Sequence, residues 1–119
     1  MANKSNLIQD KSYKFALSII TLYKDLIDKK EFILSKQLLR CGTSIGVNIE
    51  RAFAALSKKD FISKMSIASK ESRETKYWLR LLDGSQFIKI DYKKYLEDIT
   101  EIINILTAIV KTSQTKLNS

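Results

Sequence analysis

No proline interrupts the 119 residues of this chain, and its apolar residues recur at steps of three and four from one end to the other. That period marks amphipathic helix, and no strand alternation competes with it. The whole chain therefore reads as helices joined by short connectors. Helix 1 is predicted from about Asn6 to Asp28, with Phe15, Ile19, Leu22 and Leu26 on one stripe and Ala16, Ile20, Tyr23 and Ile27 widening it. Helix 2 is predicted to start at Ser35, whose hydroxyl can accept from the free amides of a first turn while Leu34 and Leu39 close a staple; residues 29–34 are then the connector. Its stripe continues through Leu38, Cys41, Ile45, Ile49, Ala52 and Leu56.

Ser57, followed three residues later by Asp60, opens helix 3, and Gly84 is the residue expected to take a left-handed conformation at its end. The seam of helix 3 is Phe61, Met65, Ala68, Ser72, Thr75, Leu79 and Leu82, whose small middle members would let another backbone come close. Gly42 and Gly46 of helix 2 are the expected partners. They have neither the strand-to-helix junction nor the lysine of a phosphate loop. Helix 4, capped by Asp91, carries Tyr92, Leu96, Ile99, Ile103, Leu106 and Val110 on its seam. Four such helices with short connections predict an all-α fold, an antiparallel up-down-up-down four-helix bundle forming one domain over residues 1–119. Ile102, Ile105 and Ile109 exceed one stripe and are expected to form an oligomer contact.

The chain has one cysteine and no histidine, which removes internal disulfides, imidazole chemistry and most zinc-site architectures. Cys41 lies on the apolar stripe and reads as a buried structural thiol. Asn48 flanks that stripe, where it can bridge to Ser72 or Thr75. Glu71, Glu74, Glu97, Asp98 and Glu101 invite a general acid/base or di-metal reading, but a bundle di-metal site needs histidine and the chain has none; Glu74 is more simply the partner of Lys70 at four residues' spacing. No enzymatic activity, cofactor or metal is expected. No apolar run reaches the length of a membrane span, and the start MANKSNLIQDK lacks the pattern of a signal peptide, so a cytoplasmic protein is expected.

Charge is the more informative property. Lys and Arg total 21 against 13 Asp and Glu, a net +8, and such a surplus on a small domain favours polyanionic partners. It is concentrated in the middle: residues 57–83 hold seven bases against four acids, whereas residues 91–117 hold four of each. Lys70, Arg73, Tyr77 and Arg80 fall at steps of three, four and three, a basic line with an aromatic in it, suited to hold phosphates and stack one base. The alternatives are a solvated helix face and a subunit contact. Arg40 and Arg51 of helix 2 extend the candidate nucleic-acid surface.

The run from Gln37 to Leu82 resembles the signature half of the small four-helix-bundle proteins found in intervening sequences of bacterial large-subunit ribosomal RNA genes. The residues that carry the likeness are Gln37, Leu38, Arg40, Ser44, Ile45, Asn48, Ile49, Phe61, Glu74 and Tyr77. Gly46 stands where many members have proline, and Glu50-Arg51-Ala52 where they continue Ala-Glu-Gly. The resemblance implies a ring-shaped homopentamer with a basic surface and no catalysis. It also implies kinship with the accessory protein of diversity-generating retroelements, which acts beside a reverse transcriptase and its RNA. RNA or DNA is accordingly the expected partner; the alternative is a protein-binding scaffold or accessory subunit of a nucleic-acid enzyme.

Overall fold

The computed structural model describes residues 4–118. Four helices make up the bundle: α1 (Lys4–Asp28), α2 (Leu34–Phe53), α3 (Lys58–Ser85) and α4 (Lys93–Asn118). Each packs on its neighbour in sequence, and α1 closes the square against α4. The pairing runs in opposite directions at every seam. Ser12 and Ile19 of α1 face Gly46 and Gly42 of α2, Arg40 and Phe53 of α2 meet Glu74 and Phe61 of α3, Phe61 and Arg80 of α3 line grooves with Ile109 and Glu97 of α4, and Leu7 and Lys11 of α1 lie by Ile109 and Glu101 of α4. This is the up-down-up-down arrangement that short connectors between amphipathic helices enforce. None of the helices is long and apolar enough to cross a membrane.

The stripes meet in one core. Ile19, Leu22 and Leu26 of α1, Leu38, Ile45 and Ile49 of α2, Met65, Leu79 and Leu82 of α3, and Ile99 and Leu106 of α4 are all fully buried. The small residues of the α3 seam, Ala68, Ser72 and Thr75, are buried as well. Their neighbour differs from the expected one. A Cβ built on Gly42 would lie 3.1 Å from Ile19 of α1, and one on Gly46 would lie 3.6 Å from Ser12, so both glycines relieve the α1–α2 seam and not α2–α3. Asn48 likewise turns back to its own helix, donating to the Ser44 carbonyl at 2.9 Å.

Helix ends follow local hydrogen-bond accounting. Ser57 caps α3 by accepting from the Asp60 amide at 3.0 Å, and Asp91 accepts from the Lys93 amide at 3.0 Å. Three other ends differ from expectation. α2 stops at Phe53, so Leu56 leaves the stripe and is fully exposed in the connector. Gln86, not Gly84, takes the left-handed conformation after α3, with φ 47°. The start of α2 is capped by Glu31: its carboxylate accepts from the amides of Ile33, Leu34 and Ser35 at 3.2, 2.9 and 2.6 Å. Ser35 uses its hydroxyl to donate to the Glu31 carbonyl at 2.7 Å.

The connectors that follow α1 and α3 lie at the same end of the bundle. Tyr92 is completely buried there, its hydroxyl donating to the Ile88 carbonyl at 2.9 Å. Burial pushes its pKa up to about 12, with Asp83 in the last turn of α3 and Glu31 in the connector after α1 adding to the shift.

Candidate nucleic-acid interface

Because Ser57 fixes the start of α3 and the buried seam fixes its rotation, Lys70, Arg73, Tyr77 and Arg80 all fall on the exposed side. Tyr77 is 55% exposed, and its ring lies 6.1 Å from that of Trp78 in an edge-on arrangement. The four side chains nevertheless diverge. Arg73 donates to the Thr107 hydroxyl of α4 at 2.9 Å, and Arg80 lines a groove between α3 and α4. Lys70 and Tyr77 lie further round, on the outward face.

That groove is electrostatically mixed. Lys76 and Arg80 form one wall, while Glu97 and Glu101 stand on the α4 wall with Asp83 and Asp91 at one end. A phosphate is repelled from its floor, and the cations are usable only from the outer rim. The α4 carboxylates are also occupied within the chain, Glu101 by Lys11 at 2.5 Å and Asp98 by Lys94 at 2.8 Å. Of Glu97, Asp98 and Glu101, Glu97 alone is left without an ion pair among the described residues.

Arg40 belongs to the other flank of α3. Its guanidinium pairs with Glu74 and sits 3.7 Å from Glu71, whose buried Oε2 has no hydrogen bond. The Trp78 indole donates to the same Glu74 oxygen at 3.4 Å. Glu74 is therefore a cross-helix partner of Arg40, not the helical partner of Lys70, because the α2–α3 seam brings a guanidinium with several donors to it. Arg51 is exposed in the last turn of α2, where a cation complements the helix dipole. The six basic and aromatic candidates thus occupy two flanks of α3 and one helix end, and only Lys70, Arg73, Tyr77 and Arg80 share a face.

Cys41 is fully buried and its thiol lies 3.7 Å from the Leu38 carbonyl. Burial pushes its pKa up to about 11, which keeps it protonated and unreactive at neutral pH.

Comparison with known proteins places this geometry. The family model of the 23S rRNA-intervening sequence proteins matches residues 4–108. The chain belongs to that family. A crystal structure of a protein of unknown function from the S23 ribosomal protein family of Bacteroides thetaiotaomicron VPI-5482 is 48% identical, with TM-score 0.87 over 92% of this chain and 99% of the other. No curated protein matches.

In this member of the 23S rRNA-intervening sequence protein family the apolar surface is distributed differently from what the α4 pattern implies. Ile102 is only 2% exposed and belongs to the bundle's own core, so it is no oligomer contact. α4 packs on both α1 and α3. Ile105 and Ile109 are half-buried and line an apolar groove with Leu7 and Phe61. An exposed apolar stripe lies on α1: Tyr13, Leu17 and Ile20 are exposed, and Val47 of α2 is exposed on the adjoining helix. Its signal is present in the sequence, where Tyr13, Leu17 and Ile20 recur at four and three beside the core stripe.

Proposed function

We propose that the protein is a non-catalytic, basic homo-oligomer that binds RNA, with the outward face of α3 as the contact surface. One observation carries the reading: Lys70, Arg73 and Arg80 are exposed on the same side of α3 as Tyr77, Arg73 and Arg80 nearer its border with α4, and form no ion pair among the described residues. Cations that no ion pair neutralises remain available to phosphate, Arg80 from the outer rim of its groove. Membership of a family named for 23S rRNA intervening sequences supports RNA as the polyanion. The resemblance supports a ring of five copies, which multiplies a modest patch into useful avidity. The exposed α1 stripe favours a second reading, in which a protein partner such as the polymerase of an RNA-using system docks on the bundle.

The test is fluorescence anisotropy of a labelled RNA across a salt series, comparing wild type with the double variant Lys70→Glu and Arg80→Glu. Arg73 is left intact because its bond to Thr107 ties α3 to α4. Wild-type affinity is expected to fall with a log–log slope of about −0.7 per phosphate neutralised on single strands, and the double variant is expected to bind more weakly with a flatter slope. Equal binding by both proteins removes α3 as the site. Absence of any salt-sensitive binding by wild type removes the RNA reading and leaves the protein-docking one.

A further inference from the structure

The connectors after α1 and α3 present the most conspicuous side chains at their end of the molecule. Phe32 is 60% exposed, Ile33 77% and Phe87 71%. These are held on ordered backbone. Lys30 is left-handed at φ 66°, with its amide bonded to the Ile27 carbonyl and the Glu31 amide bonded to the Leu26 carbonyl, both at 2.9 Å, and the Glu31 carboxylate then pins the Ile33 amide. On the other connector Gln86 is left-handed, the Phe87 amide donates to the Ser85 hydroxyl at 3.3 Å, and Ile88 is buried directly after it. Each phenylalanine therefore follows a left-handed helix stop and points away from a fixed anchor, at little entropic cost to a ligand that contacts it.

The charge around them is not neutral. Lys29, Lys30, Lys36, Lys89 and Lys93 lie on these connectors or in the turns beside them, all exposed and none in an ion pair among the described residues. Of the acids in the same stretches, Glu31 is buried and spends its carboxylate on three amides, and Asp91 caps α4. Asp25, Asp28 and Asp83, in the last turns of α1 and α3, remain to oppose five ammonium groups.

We infer that this end of the bundle, with Phe32 and Phe87 as stacking platforms among unpaired lysines, is a binding site for unstacked bases of single-stranded RNA. Aromatic rings supply contact to any base through its π-face, and the lysines supply contact to the phosphates between bases. Duplex RNA offers no free base face and would use only the lysines. A lipid surface fits less well, since three apolar side chains on two short connectors form no amphipathic helix. The inference rests on the RNA reading above but places a contact away from the α3 line.

The experiment measures anisotropy of a labelled oligouridine of about 12 nucleotides, within the range of single-strand site sizes, and of an RNA duplex of the same length. The proteins are wild type, Phe32→Ala with Phe87→Ala, and the corresponding double Leu and double Trp variants; helical content is checked by circular dichroism. The double Ala variant is expected to lose about tenfold or more in affinity for oligouridine with duplex binding unchanged, Leu to behave like Ala, and Trp to restore binding. Unchanged oligouridine binding in the double Ala variant overturns this site while leaving RNA binding by α3 intact. Rescue by Leu as good as by Trp also overturns it, because bulk and not stacking then matters. Wild type that captures anionic vesicles but no RNA overturns it in favour of a lipid surface and sinks the RNA reading with it.

Discussion

Gly42 and Gly46 lie one turn apart on α2, yet the space beside them differs. A methyl at Gly46 would make ordinary contact with Ser12 at 3.6 Å, whereas one at Gly42 would press on the branched side chain of Ile19 at 3.1 Å. Gly46→Ala is therefore expected to stabilise the protein by about 0.5–1 kcal/mol through helix propensity. Gly42→Leu is expected to cost about 1–3 kcal/mol or more, because the buried Ile19 has nowhere to move. Urea denaturation of both variants checks this, and equal effects would show that the two positions are equivalent. The apolar period placed both glycines inside a helix. It does not decide which helix they approach, because a bundle helix contacts two neighbours and its stripe has two borders; the α3 small-residue seam looked like the natural complement, but the glycines face Ile19 and Ser12 of α1, and Thr75 of α3 lies by Cys41.

Helix ends show where element-scale reading succeeds and where it fails. Ser57 and Asp91 were legible because each cap is a side chain accepting from an amide two or three residues ahead, a purely local event. Glu31 was not legible. It reaches the start of α2 only because Lys30 adopts a left-handed conformation that folds the connector back, and a lysine gives no sequence signal for that. Burial of Glu31 pushes its pKa up, but the hydrogen bonds from Leu34, Ser35 and Ile33 together outweigh it and hold the pKa below the usual value of 4.5. A lowered folded-state pKa means that the unfolded chain takes up the proton first as pH falls. The cap's contribution is thus complete above about pH 4.5 and is lost as pH drops through the folded value. Glu31→Gln is expected to destabilise wild type by about 1–2 kcal/mol at neutral pH, with the difference shrinking in acid, measured by thermal melts at several pH values. A difference that does not change with pH would mean that the carboxylate charge is irrelevant to the cap.

At the scale of the whole molecule, helix number, order and direction follow from the apolar period and short connectors, but surface division does not. Ile102 looked surplus beside the seam of Leu96, Ile99, Ile103 and Leu106, yet it is buried in the bundle's core. Two apolar surfaces on the helices stay open in a monomer, the α1 stripe of Tyr13, Leu17 and Ile20 with Val47, and the groove of Ile105 and Ile109 with Leu7 and Phe61. They are different patches on one chain. If they meet in successive copies, the contact is heterologous, and a closed ring results when the rotation between copies closes. Leu17→Glu spoils the first surface and Ala108→Glu the second; both residues are exposed, and Ala108 lines the groove, so neither change enters the core. Each variant alone is expected to run as a monomer in light scattering, while wild type runs as the oligomer. Mixed in equal amounts, the two are expected to form a heterodimer and nothing larger, since the intact stripe of one still fits the intact groove of the other. An isologous dimer through the α1 stripe predicts a different pattern: Leu17→Glu monomeric, Ala108→Glu still dimeric, and no assembly restored by mixing. Wild-type protein that scatters as a monomer ends the oligomer proposal altogether, and the avidity expected of the assembled basic faces goes with it.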